Sequence, residues 1–458
     1  MYSLISPAGK QARAWMNISI ASRLVMSLQH SLDNLDTAIN EQKFRCCWSV
    51  FILEKAFTSG PSMLQLDGIP FNSIQYPSSP PRPPGAVSSI IASPSSGNFK
   101  KSPSSDLGIN AYCLQLFPIW HDVAAYLQQV RLGHTEDPWR ASSTYNKLAE
   151  NVYEFETGIA QMHRFRSVSF QTRSAEEFAE QKSYWIPWLL MQLTFHTSQA
   201  LLNHPIFHIM IPRKPSSLLK PPSFLQHTVD QALLHSGWTV RLIRTSDELN
   251  HQISDPFVGQ LVAVAATIHW IFSFASDETV AERAESDFDY CHRFVRGMAD
   301  IWPHLSQSVS TPVILNTVVL NTVAMAPNLL RQVNRLDVLQ SLISHPRHDS
   351  IPSIKSHLLW DLLDPSSATD EPDLSPHSSI PAGQRVSMRY LVPLRESSDS
   401  RDTVHASDQS RQYDGTVFPY STPALPDPLI SDDFLEYMNI PDLSQLHVPS
   451  FLDFQGDL

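Results

Sequence analysis

Residues 9–33, GKQARAWMNISIASRLVMSLQHSLD, and 41–77, EQKFRCCWSVFILEKAFTSGPSMLQLDGIPFNSIQYP, decide the fold. In the first stretch Trp15, Ile18, Ala21, Leu24, Val25 and Leu28 recur with a period near 3.6, which predicts an amphipathic helix. In the second, the stripe returns at Phe44, Cys47, Trp48, Phe51 and Ile52, runs to Lys55, and is stopped by Gly60-Pro61. Two helices joined through residues 33–40 are therefore expected. Trp15, Trp48 and Phe51 are candidates to line a small-molecule pocket, but at helical spacing they read first as core.

Composition extends the helical reading to the whole chain. Only 14 glycines occur in 458 residues, about half the ~7% of average usage. That scarcity argues against Rossmann folds, phosphate-binding loops and turn-rich β architectures. Prolines are plentiful and clustered: seven of 35 lie in residues 77–106 and eleven follow Trp360. The segment 77–106, rich in Pro and Ser, reads as a flexible excursion, and the C-terminal part as a disordered tail. Between them helical patterning runs from Leu107 to Leu342, with breaks expected at Pro138, around 213–222 and at Pro303. The fold class is thus all-α: a large irregular helical domain over residues 1–345 with an inserted Pro/Ser loop, followed by an acidic tail over 346–458.

Charge is divided as unevenly as proline. Residues 361–458 carry 17 acidic and 5 basic side chains, whereas residues 1–360 carry 28 of each. The net charge of −12 belongs to the tail. A neutral body lacks the basic face that binding to phosphates requires.

Three stretches, 184–212, 256–276 and 311–330, hold no charged residue and raise the question of membrane spans. Each carries scattered polar groups, among them Gln192, His196, Gln260, His269, Asn316 and Asn321, which are costly in lipid. Two of them open with a cap and a proline, Asp255-Pro256 and Thr311-Pro312, as helices in water do. Buried central helices are the expectation, and an integral membrane protein the rival.

The order of these segments resembles the middle homology region of the fungal binuclear-zinc-cluster transcription factors. The N-terminal helix matches that family's R-x-A-W-x-x-x-x-x-A-x-R pattern, and the next its basic, C-W-S, F-I-L, acidic-basic order. QLTFHTSQALLNHPIFH (192–208), SDELNHQISDPFVGQLVAVAATIH (246–269) and ESDFDYCHRFVRGMADIWPHLSQ (285–307) match its later helices. The likeness spans roughly residues 1–345. It departs in keeping only Lys43 and Arg45 before C-W-S, and Gly60-Pro61-Ser62 in place of Gly-Arg-Pro. The resemblance implies a nuclear regulator of a metabolic pathway, one of secondary metabolism included. Zinc is expected for the full-length family, but no cysteine cluster that would bind it lies in this chain. No cofactor is expected, and DNA contact is expected only if a further domain lies upstream of residue 1.

Isolated polar groups add no reaction chemistry. Four cysteines at 46, 47, 113 and 291 form no C-x-x-C pair, and adjacent Cys46 and Cys47 point to different helical faces. They read as buried thiols in a reducing compartment. His196, His204 and His208 share a helical face on which a metal site can be imagined, yet no carboxylate accompanies them, so they read as core or loop histidines. Asp287, Asp289 and His292 read as the solvated side of a helix. G-x-S-x-G, H-E-x-x-H, G-x-G-x-x-G and phosphate-loop patterns are all missing. An enzyme is not expected, and no catalytic, cofactor-binding or metal-binding residue is assigned.

The C-terminal stretch 412–458 has its own chemistry. No lysine or arginine follows Arg411, and Phe434, Leu435, Tyr437, Met438, Leu443, Leu446, Phe451, Leu452 and Phe454 are interleaved with Asp432, Asp433, Glu436, Asp442 and Asp453. Acidic groups keep such anchors in water until a basic, grooved partner folds them into short helices. These nine residues are the candidate anchors of a transcriptional activation segment that contacts a coactivator or the general transcription machinery. The alternative is a DNA-binding-deficient or dominant-negative partner that dimerises with a full-length zinc-cluster factor. Neither reading involves a membrane.

Overall fold

A computed structural model describes residues 16–25, 37–57, 76–79, 106–134, 136–210, 220–275, 277–308, 316–343, 354–364 and 379–380, all within a unit spanning residues 1–395. The fold is all-α, apart from a two-residue antiparallel ladder that pairs β1 (Ile354–Lys355) with β2 (Ser379–Ile380). The candidate anchors of 412–458 lie outside the described residues, as do 80–105 of the Pro/Ser segment.

Helix α9 (Pro256–Phe272) forms the centre. Its start is the expected one: the Asp255 carboxylate accepts from Phe257 N–H at 2.9 Å, and Pro256 occupies the first turn, where no N–H is needed. Every residue from Phe257 to Phe272 is buried. Its neighbours are α7 (Lys182–Leu202), α8 (Pro222–Glu248), α10 (Glu278–Ser308), α11 (Asn316–Ile343) and α12 (Ser356–Leu363). Gly259 permits the closest approach: a Cβ there would lie 2.5 Å from Leu329 Cδ2 of α11. Trp270 donates its indole N–H to Leu339 O at 2.9 Å, fixing the other end of the same pair.

Helix α3 (Ile109–Arg131) packs on α7, α2 (Thr37–Phe57) and α4 (Thr144–Gly158), and the short α5 (Phe165–Val168) and α6 (Ala175–Glu180) lead into α7. The first helix, α1 (16–25), and α2 confirm the two opening helices in part. Ile18, Val25, Cys47, Trp48 and Phe51 are buried as expected. Leu24 is not; it is 59% exposed. Ser22 takes the inward position instead and donates to the buried Glu54 carboxylate at 2.9 Å. A polar pair thus replaces an apolar contact, which hydrophobic periodicity cannot foresee. Trp48 and Phe51 meet edge to face at 5.2 Å and Trp48 stacks on Tyr76 at 5.0 Å, so both are core. Ser78, at the start of the Pro/Ser segment, is fastened to Glu41 of α2, and its carbonyl accepts from Asn110 of α3.

The uncharged stretch 184–212 supplies α7, buried from Trp188 onward except at Leu190, and 256–276 supplies α9. Among the described residues no helix is long and apolar enough to cross a membrane. The start expected at Thr311-Pro312 lies outside the described residues. The breaks expected at Pro138 and before Pro222 occur, but Pro303 does not end a helix, since α10 continues to Ser308. A proline inside a helix costs ~3 kcal/mol. Helix α10 as a whole packs on α9 and α11. The helical body also passes the expected boundary at 345, because α12 is buried against α9 and α11.

Candidate functional site

Polar side chains inside α7, α8 and α9 are the most concentrated chemistry in the described residues. His196 of α7 and His235 of α8 meet Nδ1 to Nδ1 at 2.8 Å, and both are buried. His235 Nε2 faces Gln231 Oε1 at 3.2 Å, and an amide oxygen only accepts, so His235 carries its proton on Nε2. Its Nδ1 is then an acceptor, and His196 donates from Nδ1. His196 stacks flat on Trp238, with ring centres 5.3 Å apart, and Arg241 covers Trp238 at 4.9 Å. Burial lowers both imidazole pKa values, His235 to about 3 and His196 well below its ordinary value, with each further depressed by a neighbouring histidine. At neutral pH the pair is uncharged.

His204 stands where α7 stops. Ile206 N–H donates to its Nδ1 at 3.2 Å, so its Nε2–H donates to Thr267 Oγ1 of α9 at 2.9 Å. Burial pushes this imidazole down to about 3. His208 Nε2 lies 3.0 Å from Leu202 O. The histidines expected in core or loop are therefore in the core, each bonded to protein. They fasten α7 to its neighbours and fix the turn into the π-helix Ile206–Met210. General-base chemistry needs a pKa near the working pH and an approach for substrate. His196, His204 and His235 have neither.

Asp287 and His292 correct the expectation of a solvated face. Both are 3% exposed. Asp287 accepts from Arg244 of α8 at 2.7 Å and faces His269 Nδ1 at 4.0 Å, while His292 Nε2 lies 2.8 Å from Asp337 of α11. The buried row on α10 runs through Ala284, Phe288, Cys291 and Val295, and positions 287 and 292 adjoin it. That signal was present in the sequence, but the residue types masked it. A second polar join, His163 with Tyr184 Oη at 2.8 Å and with Asp106 at 3.2 Å, locks the start of α3 to α7.

Open clefts lie among the described residues, two of them well defined. The larger, about 560 Å³, lies between α4 and the start of α8 and is walled by Trp139, Tyr145, Tyr153, Phe224 and His227. Tyr145 and Phe224 meet edge to face at 5.4 Å, and Tyr145 Oη donates to Asn203 Oδ1 at 2.7 Å. The smaller, about 320 Å³, lies beside Phe178, Lys182 and His251. Sequence reasoning singled out neither cleft, because their walls come from segments far apart in the chain.

Among the described residues no group of three or more His, Cys, Asp or Glu is arranged to hold a metal ion. All four cysteines are free thiols; Cys47, Cys113 and Cys291 are buried as expected, but Cys46 is exposed, because it lies on a different face of α2 from the buried Cys47. None of these groups forms a nucleophile–base pair in an accessible cleft. The arrangement positions helices.

The chain is similar to an uncharacterised transcriptional regulatory protein of Schizosaccharomyces pombe, 23% identical over 308 residues, covering 57% of this chain and 43% of that protein. It therefore matches less than half the length of that relative. No protein-family model and no solved structure matches it.

Proposed function

We propose that this protein is a transcriptional regulator, with a helical body that serves as a protein-interaction and regulatory module. The observation that carries the reading is the similarity to a fungal transcriptional regulatory protein. The charge division supports it: residues 1–360 carry 28 basic and 28 acidic groups, and residues 361–458 hold the net charge of −12. The protein works in the nucleus without catalysing a reaction or holding a cofactor of its own. Its acidic tail recruits a coactivator or the general transcription machinery through Phe434, Leu435, Tyr437, Met438, Leu443, Leu446, Phe451, Leu452 and Phe454. The genes it controls belong to a metabolic pathway, with secondary metabolism the class that the family resemblance favours.

The test is to fuse residues 412–458 to an unrelated DNA-binding module. Reporter transcription should rise, and fall again when Phe434, Leu435, Phe451 and Leu452 are replaced by alanine. A silent reporter at equal fusion abundance would reject the activating role. A second reading, a partner that dimerises with a zinc-cluster factor and brings no DNA contact of its own, is favoured by the neutral body. Co-precipitation with such a factor supports it, and sequence-specific DNA binding by the purified chain excludes it.

A further inference from the structure

Among the helices packed on α9, α12 is the shortest. Its eight residues, SHLLWDLL, span about 12 Å and are too short to persist as an isolated helix in water. The surface beneath it supplies the missing stability. Leu359, Trp360, Leu362 and Leu363 are each no more than 2% exposed. Leu359, Leu362 and Leu363 lie at i, i+3 and i+4, one face of the helix. Trp360 meets Phe207 at 5.2 Å and lies under the Arg131 guanidinium at 5.9 Å.

The groove also reads the polar parts of a helix. A helix end leaves its last carbonyls without internal partners, and Gln260 of α9 donates to one of them, Leu362 O, at 2.8 Å. Gln332 of α11 donates in turn to Gln260 Oε1, which orients that amide. Arg335 of α11 pairs with Asp361, and Arg131 of α3 with Asp364 at 3.6 Å. Apolar pockets, two cationic clamps and a carbonyl-binding amide together make a helix-in-groove site.

The resident helix does not satisfy the site completely. Trp360 Nε1 and Gln332 Oε1 are both buried without a hydrogen-bond partner. Phenylalanine or leucine in the tryptophan position would bring no indole N–H to bury unmatched.

We propose that the groove formed by α9, α11 and the end of α3 is a partner-binding surface and that α12 is its exchangeable built-in ligand. The partner is a short amphipathic helix of another protein with the order Leu, Phe or Leu, acid, Leu, Leu. It displaces α12 and uses the same clamps: Arg335 for the acid, Gln260 for the helix-terminal carbonyl. The proposal stands apart from the transcriptional reading.

The experiment uses the full chain and a fluorescent peptide SHLLFDLLD, followed by anisotropy. Saturable binding is expected, at least tenfold tighter to the chain with Leu359→Ala and Leu363→Ala, whose own α12 is weakened. Arg335→Glu should abolish capture, and a peptide with Lys in place of its Asp at the sixth position should restore it. Hydrogen exchange on the unaltered chain should show α12 amides exchanging at least tenfold faster than those of α9. If the Leu359→Ala, Leu363→Ala chain keeps its helical circular dichroism yet captures no peptide, the proposal is overturned. Equal exchange rates in α12 and α9 would overturn it too, making α12 a fixed part of the core.

Discussion

Acidification from pH 7 to pH 5 should destabilise this protein, and His204 sets the scale; Asp230, whose carboxyl burial raises to about 6, acts in the opposite sense over that window and offsets part of the loss. Its imidazole is buried, donates to Thr267, accepts from Ile206 N–H and has its pKa lowered from about 6.5 to about 3. In the unfolded chain it regains an ordinary pKa near 6.5. Below pH 6.5 the unfolded state therefore binds a proton that the folded state refuses, and stability falls as pH falls. At pH 5 that single site costs about 2 kcal/mol, and the loss saturates only near pH 3. His235, also lowered to about 3, adds a similar amount, with His196 and His269 shifted in the same direction by burial. Against a total stability of ~5–15 kcal/mol, several such sites are decisive. Urea unfolding followed by far-ultraviolet circular dichroism at pH 7 and pH 5 measures the effect. The midpoint should drop steeply, and His204→Asn should reduce the pH slope by about one proton, whatever it does to stability at pH 7. Equal midpoints at the two pH values, or an unchanged slope in His204→Asn, would refute the reasoning.

Other consequences are local. Asp287→Ala should cost about 2–3 kcal/mol in urea unfolding, because it removes the carboxylate that Arg244 and the buried His269 face. Trp270→Phe should cost about 1–2 kcal/mol by leaving Leu339 O unmatched, and should loosen α11 in hydrogen exchange before any other helix. A thiol reagent at neutral pH should modify Cys46 rapidly and the other three cysteines only after denaturation. Cys47, Cys113 and Cys291 are buried, and burial pushes the Cys113 thiol up to about 12. Rapid modification of two or more thiols in the native chain would contradict this.

What the sequence reveals depends on whether a local signal and tertiary packing agree. At α9 they agree, since an aspartate cap, a proline and an uncharged, largely apolar run predict a buried central helix, and that is what forms. At Pro303 they disagree, and the helix runs on through the proline to Ser308. At Ser22 and Glu54 the inward positions are polar, so hydrophobic periodicity assigns the wrong face to Leu24. Asp287 and His292 were hidden by their charge, although both adjoin the apolar stripe of α10. Helix α12 was hidden by its surroundings, a run of LLWDLL inside a Pro-, Ser- and Asp-rich stretch whose composition masks eight apolar-rich residues. The clefts were not legible at all, because a cleft between α4 and α8 belongs to no contiguous segment.

The central claim, that this protein regulates transcription, is tested most directly by chromatin immunoprecipitation of the tagged native chain, paired with transcript profiling after rapid depletion. Enrichment is expected at a limited set of promoters, with transcripts of the adjoining genes changing within the first hour. A chain that enriches no promoter, and whose depletion leaves those transcripts unchanged, would contradict it.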